Sequence, residues 1–428
     1  MPRRVCVVGG GVVGLSTALT LAQEGGCEVT VLEAGPTVGG DYQASSVNAG
    51  IVHDPAVSVN ALDVALMRAT RGAFDALETA GHLFERHTCG ELWVATTPEE
   101  ARFAAGLAAG LPGAVLLDGA GVHAQEPALG PGVVCGVYFP RSQSVHPRKV
   151  VEAFGAACVA AGVTILTDRL VDAVCWADPA PVMTRRRKAK PPSLIVACGR
   201  RQYLADDVVL ATGFATVGLA ASMGLRLPVV PVFGTMWSTA AVLPAVTSIV
   251  CGLQSSLHFS RTNGARAPGV PPNVTHSSPS APRATNHLYF KQSPDGAMMA
   301  GGDRVADPSR GARPTVVAPE ASADAVAACR AFVGTVVPCA AATPVARTWA
   351  GVMPFTADGL PLVGPTTAPS HPPVVPIPLW VATGSASSGM SKGAGSGVLL
   401  ARMMLGDPHA AEVLAPCTPS RCAVQSKL

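Results

Sequence analysis

Residues 9–14, Gly-Gly-Gly-Val-Val-Gly, have the spacing Gly-x-Gly-x-x-Gly, and Glu33 follows the last of these glycines by 19 residues. This spacing is typical of a turn that binds the pyrophosphate of a dinucleotide, because glycines let the backbone approach the phosphates closely. The amide groups of the helix that follows would bind phosphate oxygens. Glu33 would accept hydrogen bonds from the adenosine ribose. The sequence therefore predicts a dinucleotide site at residues 9–14.

The elements around this turn are those that a dinucleotide site requires. Residues 4–8 are apolar and mostly β-branched, which predicts a buried strand, and residues 12–23 have apolar side chains at helical spacing. Residues 28–32 predict a second strand, with Glu33 at its end. Together they form a βαβ unit of about 30 residues.

The rest of the chain alternates between predicted helices and strands. The same patterns predict helices over 59–80, 98–107, 147–161, 321–333 and 395–405, and strands over 91–95, 133–139, 163–167 and 379–383. Residues 286–291 and 297–300 predict a hairpin. Residues 178–193 contain four consecutive basic residues between prolines, and residues 261–285 are rich in Pro, Ser, Asn and Gly. Both segments indicate solvated insertions.

Segments far apart in the chain carry a family resemblance. They are Ala-Ser-Ser-Val-Asn-Ala-Gly at 44–50, the strand at 205–213, Trp-Ala-Gly at 349–351, residues 358–364 and Ala-Thr-Gly at 382–384. With the glycine turn, they resemble the FAD-dependent oxidoreductases that include D-amino-acid oxidase and dehydrogenase, glycine oxidase and sarcosine oxidase. The D-amino-acid dehydrogenase branch is the most similar.

The resemblance implies an α/β fold with a Rossmann-like FAD-binding domain of three layers, as in glutathione reductase, and a mainly antiparallel α+β substrate domain. The FAD-binding domain would comprise residues 1–58, 140–228 and 345–428, and the substrate domain residues 59–139 and 229–344. FAD would be held without a covalent bond, since Asn48 stands where some relatives attach it through His or Cys. The predicted FAD contacts are Gly9, Gly11, Val12, Val13, Gly14, Glu33, Ala34, Ser45, Ser46, Asn48, Ala49, Gly50, Val171, Thr212, Gly213, Gly384, Ser388, Gly389 and Met390.

The sequence departs from the family where the substrate would bind. Relatives usually carry Gly-x-Arg-Pro, whose Arg binds the substrate carboxylate, whereas this chain has Met353 at that position. Arg347, Arg141 and His53 are candidate replacements for the missing Arg. Lys392 is either a charge near the pyrimidine end of the flavin or a solvated lysine in the first turn of a helix. No catalytic residue is assigned; Met353, His53, Arg347 and Lys392 are the candidates for the pocket.

The resemblance implies that the protein oxidises the CH–NH group of a small amine or amino acid, of the D-amino-acid, N-alkyl or imino-acid type, by hydride transfer to FAD. Two alternatives stay open. One is oxidation of a 2-hydroxy acid, which a histidine near the flavin, such as His53, would favour by taking the hydroxyl proton. The other is a flavin-binding protein that has lost its activity. The electron acceptor, oxygen or another molecule, is also open.

Composition and the chain ends bear on partners and location. The 31 Lys and Arg against 28 Asp and Glu give a net charge of +3, without a long stretch of one sign, which argues against a nucleic-acid partner. The uncharged run 208–225 fits a strand, a turn and a short helix better than a membrane span, and we expect no metal site. Twelve scattered Cys indicate a reducing compartment. Ser426-Lys427-Leu428 predicts recognition by the peroxisomal import receptor and a peroxisomal location, or a cytoplasmic one if the signal is not read.

Overall fold

The computed structural model of the chain describes residues 2–177, 193–242, 246–254, 275–276, 288–306, 316–367 and 376–422. Its helices α1 to α11 are Val12–Gly25, Ala44–Val47, Ala61–Thr79, Pro98–Gly110, Gly119–Gln125, Pro147–Ala160, Thr216–Ser222, Ala323–Val336, Pro338–Ala342, Gly389–Met404 and Pro408–Leu414. Short 3-10 turns lie at Pro55–Val57, Gly213–Ala215, Ala386–Ser388 and Ala415–Cys417.

The strands form four sheets. In chain order, β1 to β11 are Arg4–Val8, Glu28–Leu32, Ile51–Val52, His87–Thr88, Glu91–Ala95, Val115–Leu117, Cys135–Phe139, Gln143–Ser144, Thr164–Leu166, Ala173–Trp176 and Leu194–Cys198. Strands β12 to β22 are Arg201–Ala205, Asp207–Leu210, Val229–Ala241, Ile249–Gly252, Thr275–His276, Tyr289–Gln292, Ala297–Gly301, Val305–Ala306, Val345–Thr356, Leu362–Thr367 and Pro376–Thr383.

The first sheet has the strand order β21-β22-β13-β1-β2-β9, and all its neighbouring strands are parallel except β21 and β22. One face is covered by α1, α3, α6 and α10, whose apolar side chains form a single core with the sheet. The other face packs against α7 and a three-stranded antiparallel sheet, β10-β11-β12. These three layers are the predicted Rossmann-like architecture, which requires parallel strands to be covered on both faces.

The second sheet has the strand order β16-β19-β14-β18-β17-β15-β5-β7-β6, with β20 also paired to β14. Most of its pairs are antiparallel, and α5, α8 and α9 share a core with its central strands. The fourth sheet is small and has the strand order β3-β8-β4. The second sheet is the mainly antiparallel α+β part that the sequence predicts.

Two elements lie in a different layer from the predicted domain stretches. Helix α3 falls in the stretch 59–139, yet Leu66 and Phe74 belong to the core of the first sheet. Its backbone lies so close to α10 that a Cβ on Gly395 would overlap the carbonyl oxygen of Leu66. Strand β20 falls in the stretch 345–428, yet it pairs with β14 from Val345 to Thr356. Both differences arise because long-range packing, which local sequence does not encode, decides the layer.

The last long helix begins earlier than predicted, at Gly389 instead of residue 395. Residues 389–397 resemble a flexible turn because most of them are Gly, Ser or Ala, and glycine costs about 1 kcal/mol in a helix interior. Here Ser391, Gly393, Ala394 and Ser396 are buried against neighbouring helices. Close packing of these small residues offsets their poor helix propensity.

The uncharged run 208–225 forms β13, a 3-10 turn and α7, as predicted. Within the described ranges, the helices are too short or too polar to cross a bilayer. The predicted insertions fall almost wholly outside the described residues, although the backbone of β16 lies within the second and pairs with β19. The import signal at residues 426–428 lies outside the described residues and stays a prediction.

Candidate functional site

A cavity of about 360 Å³ lies between the glycine turn of the first sheet and the inner face of the second sheet. One end is lined by the turn, by the loop after α2 and by the segment that leads into α10. The other end is lined by β5, β14, β15, β17 and the residues that follow β18. The cavity thus joins the predicted dinucleotide site to a second compartment.

The glycine turn has the close packing that its spacing predicts. Gly9 has a φ of +109°, and a Cβ at this residue would stand 2.6 Å from the carbonyl oxygen of Ala211 on the neighbouring strand. A Cβ on Gly14 would overlap the carbonyl oxygen of Gly9. Only glycine therefore lets α1 start this close to the ends of β1 and β13.

The start of α1 points into the cavity. Gly11 is extended and provides no side-chain cap, while Gly11, Val12 and Val13 all line the cavity. The Val12 amide donates to Ser45 Oγ at 3.2 Å, which brings the predicted Ser45 to the helix start. A helix N-terminus has unpaired amides and a positive dipole end, so this arrangement suits a phosphate group.

Glu33 directly follows β2 beside the turn and is only 4% exposed. Its carboxylate accepts hydrogen bonds from the Gly10 amide at 2.7 Å and from the Gly35 amide at 3.0 Å. Tyr42, which the sequence did not single out, donates its hydroxyl proton at 2.9 Å. Glu33 therefore stands within the turn, as its spacing predicts. Its role toward a ribose stays a prediction.

Most of the other predicted cofactor contacts line the cavity: Ser45, Asn48, Ala49, Gly213, Gly384, Ser388, Gly389 and Met390. Asn48 also shapes its own loop, because its Nδ2 donates to the carbonyls of Ala44 and Ser45 and its Oδ1 accepts from the Gly50 amide. The loop is fixed to β20 through the indole of Trp349, which donates to the Val47 carbonyl at 2.7 Å.

Val171, Thr212 and Ser46 are outside the described lining of the cavity. Val171 belongs to the core on the far face of the first sheet, and Thr212 hydrogen-bonds Thr216 through their hydroxyls. Ser46 is buried, and its Oγ has no hydrogen-bond partner among the described residues. A buried hydroxyl without a partner is costly.

The second compartment contains a buried acidic residue that the sequence did not single out. Glu91, at the start of β5, has no exposed surface. It accepts hydrogen bonds from His53 Nδ1 at 2.9 Å, Trp93 Nε1 at 2.7 Å and Ser142 Oγ at 2.9 Å. Burial raises the pKa of Glu91, but His53 and these hydrogen bonds outweigh it and bring the pKa below its ordinary value. The donors that converge on Glu91 are those that an ionised carboxylate accepts.

Arg304 supplies a buried cation to the same compartment. It follows β18, lines the cavity and donates from Nη2 to Ser387 Oγ at 3.1 Å, which brings it to the segment before α10. Burial lowers the pKa of Arg304 to about 10. The desolvated guanidinium remains charged at neutral pH, where it favours an anionic ligand. Sequence reasoning missed Arg304 because it lies outside every motif.

The predicted pocket candidates separate into two groups. His53 and Met353 line the cavity. Lys392 lies outside the described lining and pairs with Asp63, with 2.6 Å between Nζ and Oδ1. Arg347 stacks on Trp349 at the surface with 58% of its side chain exposed, and Arg141 pairs with Asp54. Neither Arg lines the cavity, so neither replaces the missing family Arg in this structure.

Lys291, on β17, is a second buried cation next to the loop that carries Gly50. Its Nζ donates to Ser144 Oγ at 2.7 Å, and burial lowers its pKa to about 8 from an ordinary value of 10.5. The unfolded chain therefore binds more protons than the folded chain between about pH 8 and pH 10.5. The free energy of unfolding should rise with pH through that window.

Replacing Lys291 by methionine should raise the free energy of unfolding at pH 7 by about 1–2 kcal/mol, because it removes a buried charge. It should also abolish most of the rise between pH 8 and pH 10.5. Urea unfolding at several pH values measures both effects. Replacing Lys149, whose side chain is 44% exposed, is the matched control and should keep the rise. An unchanged pH dependence in the Lys291 variant would contradict the lowered pKa.

Within the described ranges, no cluster of three or more His, Cys, Asp or Glu side chains could hold a metal ion. All twelve Cys are free thiols. The chemistry available to the cavity is therefore a glycine turn and helix end for a dinucleotide, beside a compartment with a guanidinium, an imidazole and the carboxyl groups of Glu91 and Asp303.

Comparisons with known proteins agree with this arrangement. The family model described as DAO, FAD dependent oxidoreductase, matches residues 4–403. Glycine oxidase of Pseudomonas putida is 25% identical over 391 residues, which cover 87% of each chain.

Solved structures share the fold. Glycine oxidase from Geobacillus kaustophilus has a TM-score of 0.74 at 23% identity, with 97% of this chain and 98% of that chain covered. L-alpha-glycerophosphate oxidase from Mycoplasma pneumoniae, solved with FAD bound, has a TM-score of 0.71 at 17% identity, with 95% of each chain covered.

Proposed function

The chain belongs to the DAO family of FAD-dependent oxidoreductases, and from this premise we propose that it oxidises the CH–NH group of a small amino acid whose carboxylate binds Arg304. FAD is the cofactor of this family, and the glycine turn, the α1 N-terminus and the loop around Asn48 would hold it. When bound, FAD accepts the hydride that leaves the carbon bearing the amine. The chain's own residues must bind and orient the substrate.

The observation that carries the proposal is the position of Arg304. The family position for a carboxylate-binding Arg holds Met353, which lines the cavity but cannot pair with an anion. Arg304 reaches the same cavity from the end of β18 and hydrogen-bonds Ser387 in the segment before α10. A buried guanidinium offers a planar fork of donors that fits a carboxylate. Arg304 would therefore take over the task that Met353 cannot perform.

The size of the cavity supports a small substrate. The volume of about 360 Å³ must take the reactive ring of the cofactor as well as the substrate. Trp93, Met236 and Tyr289 line the substrate end. These side chains exclude water and suit a short apolar side chain.

A second candidate function is oxidation of a 2-hydroxy acid, and His53 is the observation that favours it. His53 lines the cavity with its Nδ1 on the buried Glu91, which leaves Nε2 as the ring atom that can take a hydroxyl proton. Arg304 would hold the carboxylate of a hydroxy acid in the same way as that of an amino acid. A substrate test therefore has to compare the two classes directly.

The test is anaerobic reduction of the bound flavin. We expect the visible absorbance of the purified protein to bleach with one pool among D-amino acids, N-methyl amino acids, imino acids and 2-hydroxy acids. Amines without a carboxylate should react poorly, since they lack a partner for Arg304. Readmission of air then separates an oxidase from a dehydrogenase. Bleaching by the hydroxy acids alone would favour the second candidate, and a flavin that no pool bleaches would indicate a protein that has lost its activity.

A further inference from the structure

The side chains of Glu91 and His53 form a pair at the substrate end of the cavity. An ionised carboxylate accepts hydrogen bonds and cannot donate them. His53 Nδ1 must therefore carry the proton of this hydrogen bond and donate it to Glu91 Oε2. This fixes the neutral imidazole in the form with its lone pair on Nε2. No hydrogen bond to Nε2 occurs within the described ranges, and 23% of the His53 side chain remains exposed to the cavity.

The groups around the pair hold both side chains in place. Trp93 Nε1 and Ser142 Oγ hold Glu91 in place, and the Ser391 hydroxyl accepts the His53 backbone amide at 3.0 Å. The other titratable or charged groups around the pair and its cavity are Cys89, Cys251, Tyr289, Asp303, Arg304, Arg71 and Asp54. Burial raises the pKa of Cys251 well above its ordinary value, so this thiol stays neutral.

Burial of the Glu91 carboxylate favours the movement of a proton from the substrate to His53. A buried carboxylate is destabilising unless a cation or several donors compensate it. Neutral donors from Trp93 and Ser142 compensate part of the charge, and an imidazolium at 2.9 Å would compensate the rest. A proton that arrives at His53 Nε2 is therefore stabilised by Glu91 at the moment of transfer.

We propose that His53 takes a proton from the ammonium group of the substrate and that Glu91 is the positioning residue that makes this transfer favourable. One N–H bond of the ammonium breaks, its electron pair stays on nitrogen, and a new bond forms between that proton and His53 Nε2. The positive charge moves from the substrate to the imidazole beside Glu91, and the amine becomes neutral. A neutral amine has the lone pair that the departure of a hydride from the neighbouring carbon requires.

This inference rests on the proposed function, since it needs an amino-acid substrate in the cavity. Arg304 would bind the carboxylate of the substrate, and His53, positioned by Glu91, would take a proton from its nitrogen. The substrate is oriented by both of its charged groups.

The test uses three variants of the flavin-loaded protein with the best substrate found. His53→Gln should lower kcat/KM roughly 10²–10⁴-fold, the usual contribution of a general base. In the pH profile of kcat/KM for this variant, only the limb that arises from ionisation of the substrate's own amine should remain. Glu91→Gln should lower kcat/KM by a smaller factor and move the acid limb toward lower pH, because the imidazolium loses its anion.

Glu126→Gln is the matched control. Glu126 is also buried and accepts hydrogen bonds from Thr247 and Ser248, but it lies away from the cavity. It should keep the acid limb of the unaltered protein. If the role of Glu91 is purely structural, Glu91→Gln should behave like Glu126→Gln: it should change stability and flavin content and leave the acid limb in place. That result would overturn the proposal.

A second readout does not depend on turnover. Nitrogen-15 spectra of histidine-labelled protein should assign to His53 a protonated Nδ1 and an unprotonated Nε2, with the signal identified by its loss in His53→Gln. The opposite tautomer would also overturn the proposal. Failure of the proposed function is a separate result, because it appears as an unaltered protein whose flavin no amino acid reduces.

Discussion

Replacing Gly14 by alanine is expected to abolish FAD binding. The added Cβ would overlap the carbonyl oxygen of Gly9, well inside the 3.0 Å that real Cβ contacts respect, and both groups are backbone. The strain can be relieved only if α1 moves away from the end of β1. That movement displaces the helix amides from the pyrophosphate and costs about 3 kcal/mol or more of stability. Absorbance of the purified protein at the flavin bands measures the bound cofactor directly.

Gly72→Ala is the matched control for this experiment. Gly72 lies within α3, and a Cβ added there would meet no other atom within 4 Å. Alanine at this position should keep full flavin content and raise stability slightly, since alanine has the higher helix propensity. A Gly14 variant that binds FAD as well as the Gly72 variant would show that the turn does not form the site.

Replacing Arg304 by methionine should lower kcat/KM for a carboxylate-bearing substrate roughly 10²–10³-fold. The loss of one partner from a buried, hydrogen-bonded charge pair costs about 2–5 kcal/mol, and each 1.4 kcal/mol is a factor of ten. Most of the effect should be in KM, because the carboxylate is bound in the ground state as well as in the transition state. Steady-state kinetics with the acid and with its uncharged amide measure the difference.

The uncharged amide should lose little activity in the Arg304 variant, because it never paired with the guanidinium. Arg304→Lys keeps the charge without the fork and should recover part of the loss. Arg347→Met is the matched control, since Arg347 is exposed and stacked on Trp349 away from the cavity. An equal loss for acid and amide would assign Arg304 a structural role instead.

The cofactor half of the site was predictable from the sequence, because its information is local. The turn at residues 9–14, the strand that precedes it and Glu33 are fixed by spacing within a single βαβ unit, and the structure places them together. The segment around Asn48 was predictable by resemblance. The hydrogen bonds of the Asn48 side chain join residues within four positions of each other, so the shape of this segment also depends on local sequence.

The substrate half was only partly predictable, because its residues meet across long stretches of chain. Glu91 looks like the first residue of an ordinary strand, and only the fold brings His53 and Cys251 to it. Arg304 follows a strand whose neighbours are set by the whole second sheet. The sequence left Lys392 either near the pyrimidine end of the flavin or solvated in a helix's first turn, whereas it pairs with Asp63 on α3. No local pattern encodes such pairs.

The strand order of the first sheet has a consequence for synthesis on the ribosome. Strand β1 lies between β2 and β13. Strand β2 follows β1 closely in the chain, whereas β13 is made about 200 residues later. The other neighbour of β13 is β22, which is made later still. The glycine turn emerges about 200 residues before Ala211, against which Gly9 packs. The nascent chain should therefore carry an unfinished sheet and load its cofactor only after β22 has emerged, which leaves a long interval in which chaperones can bind it.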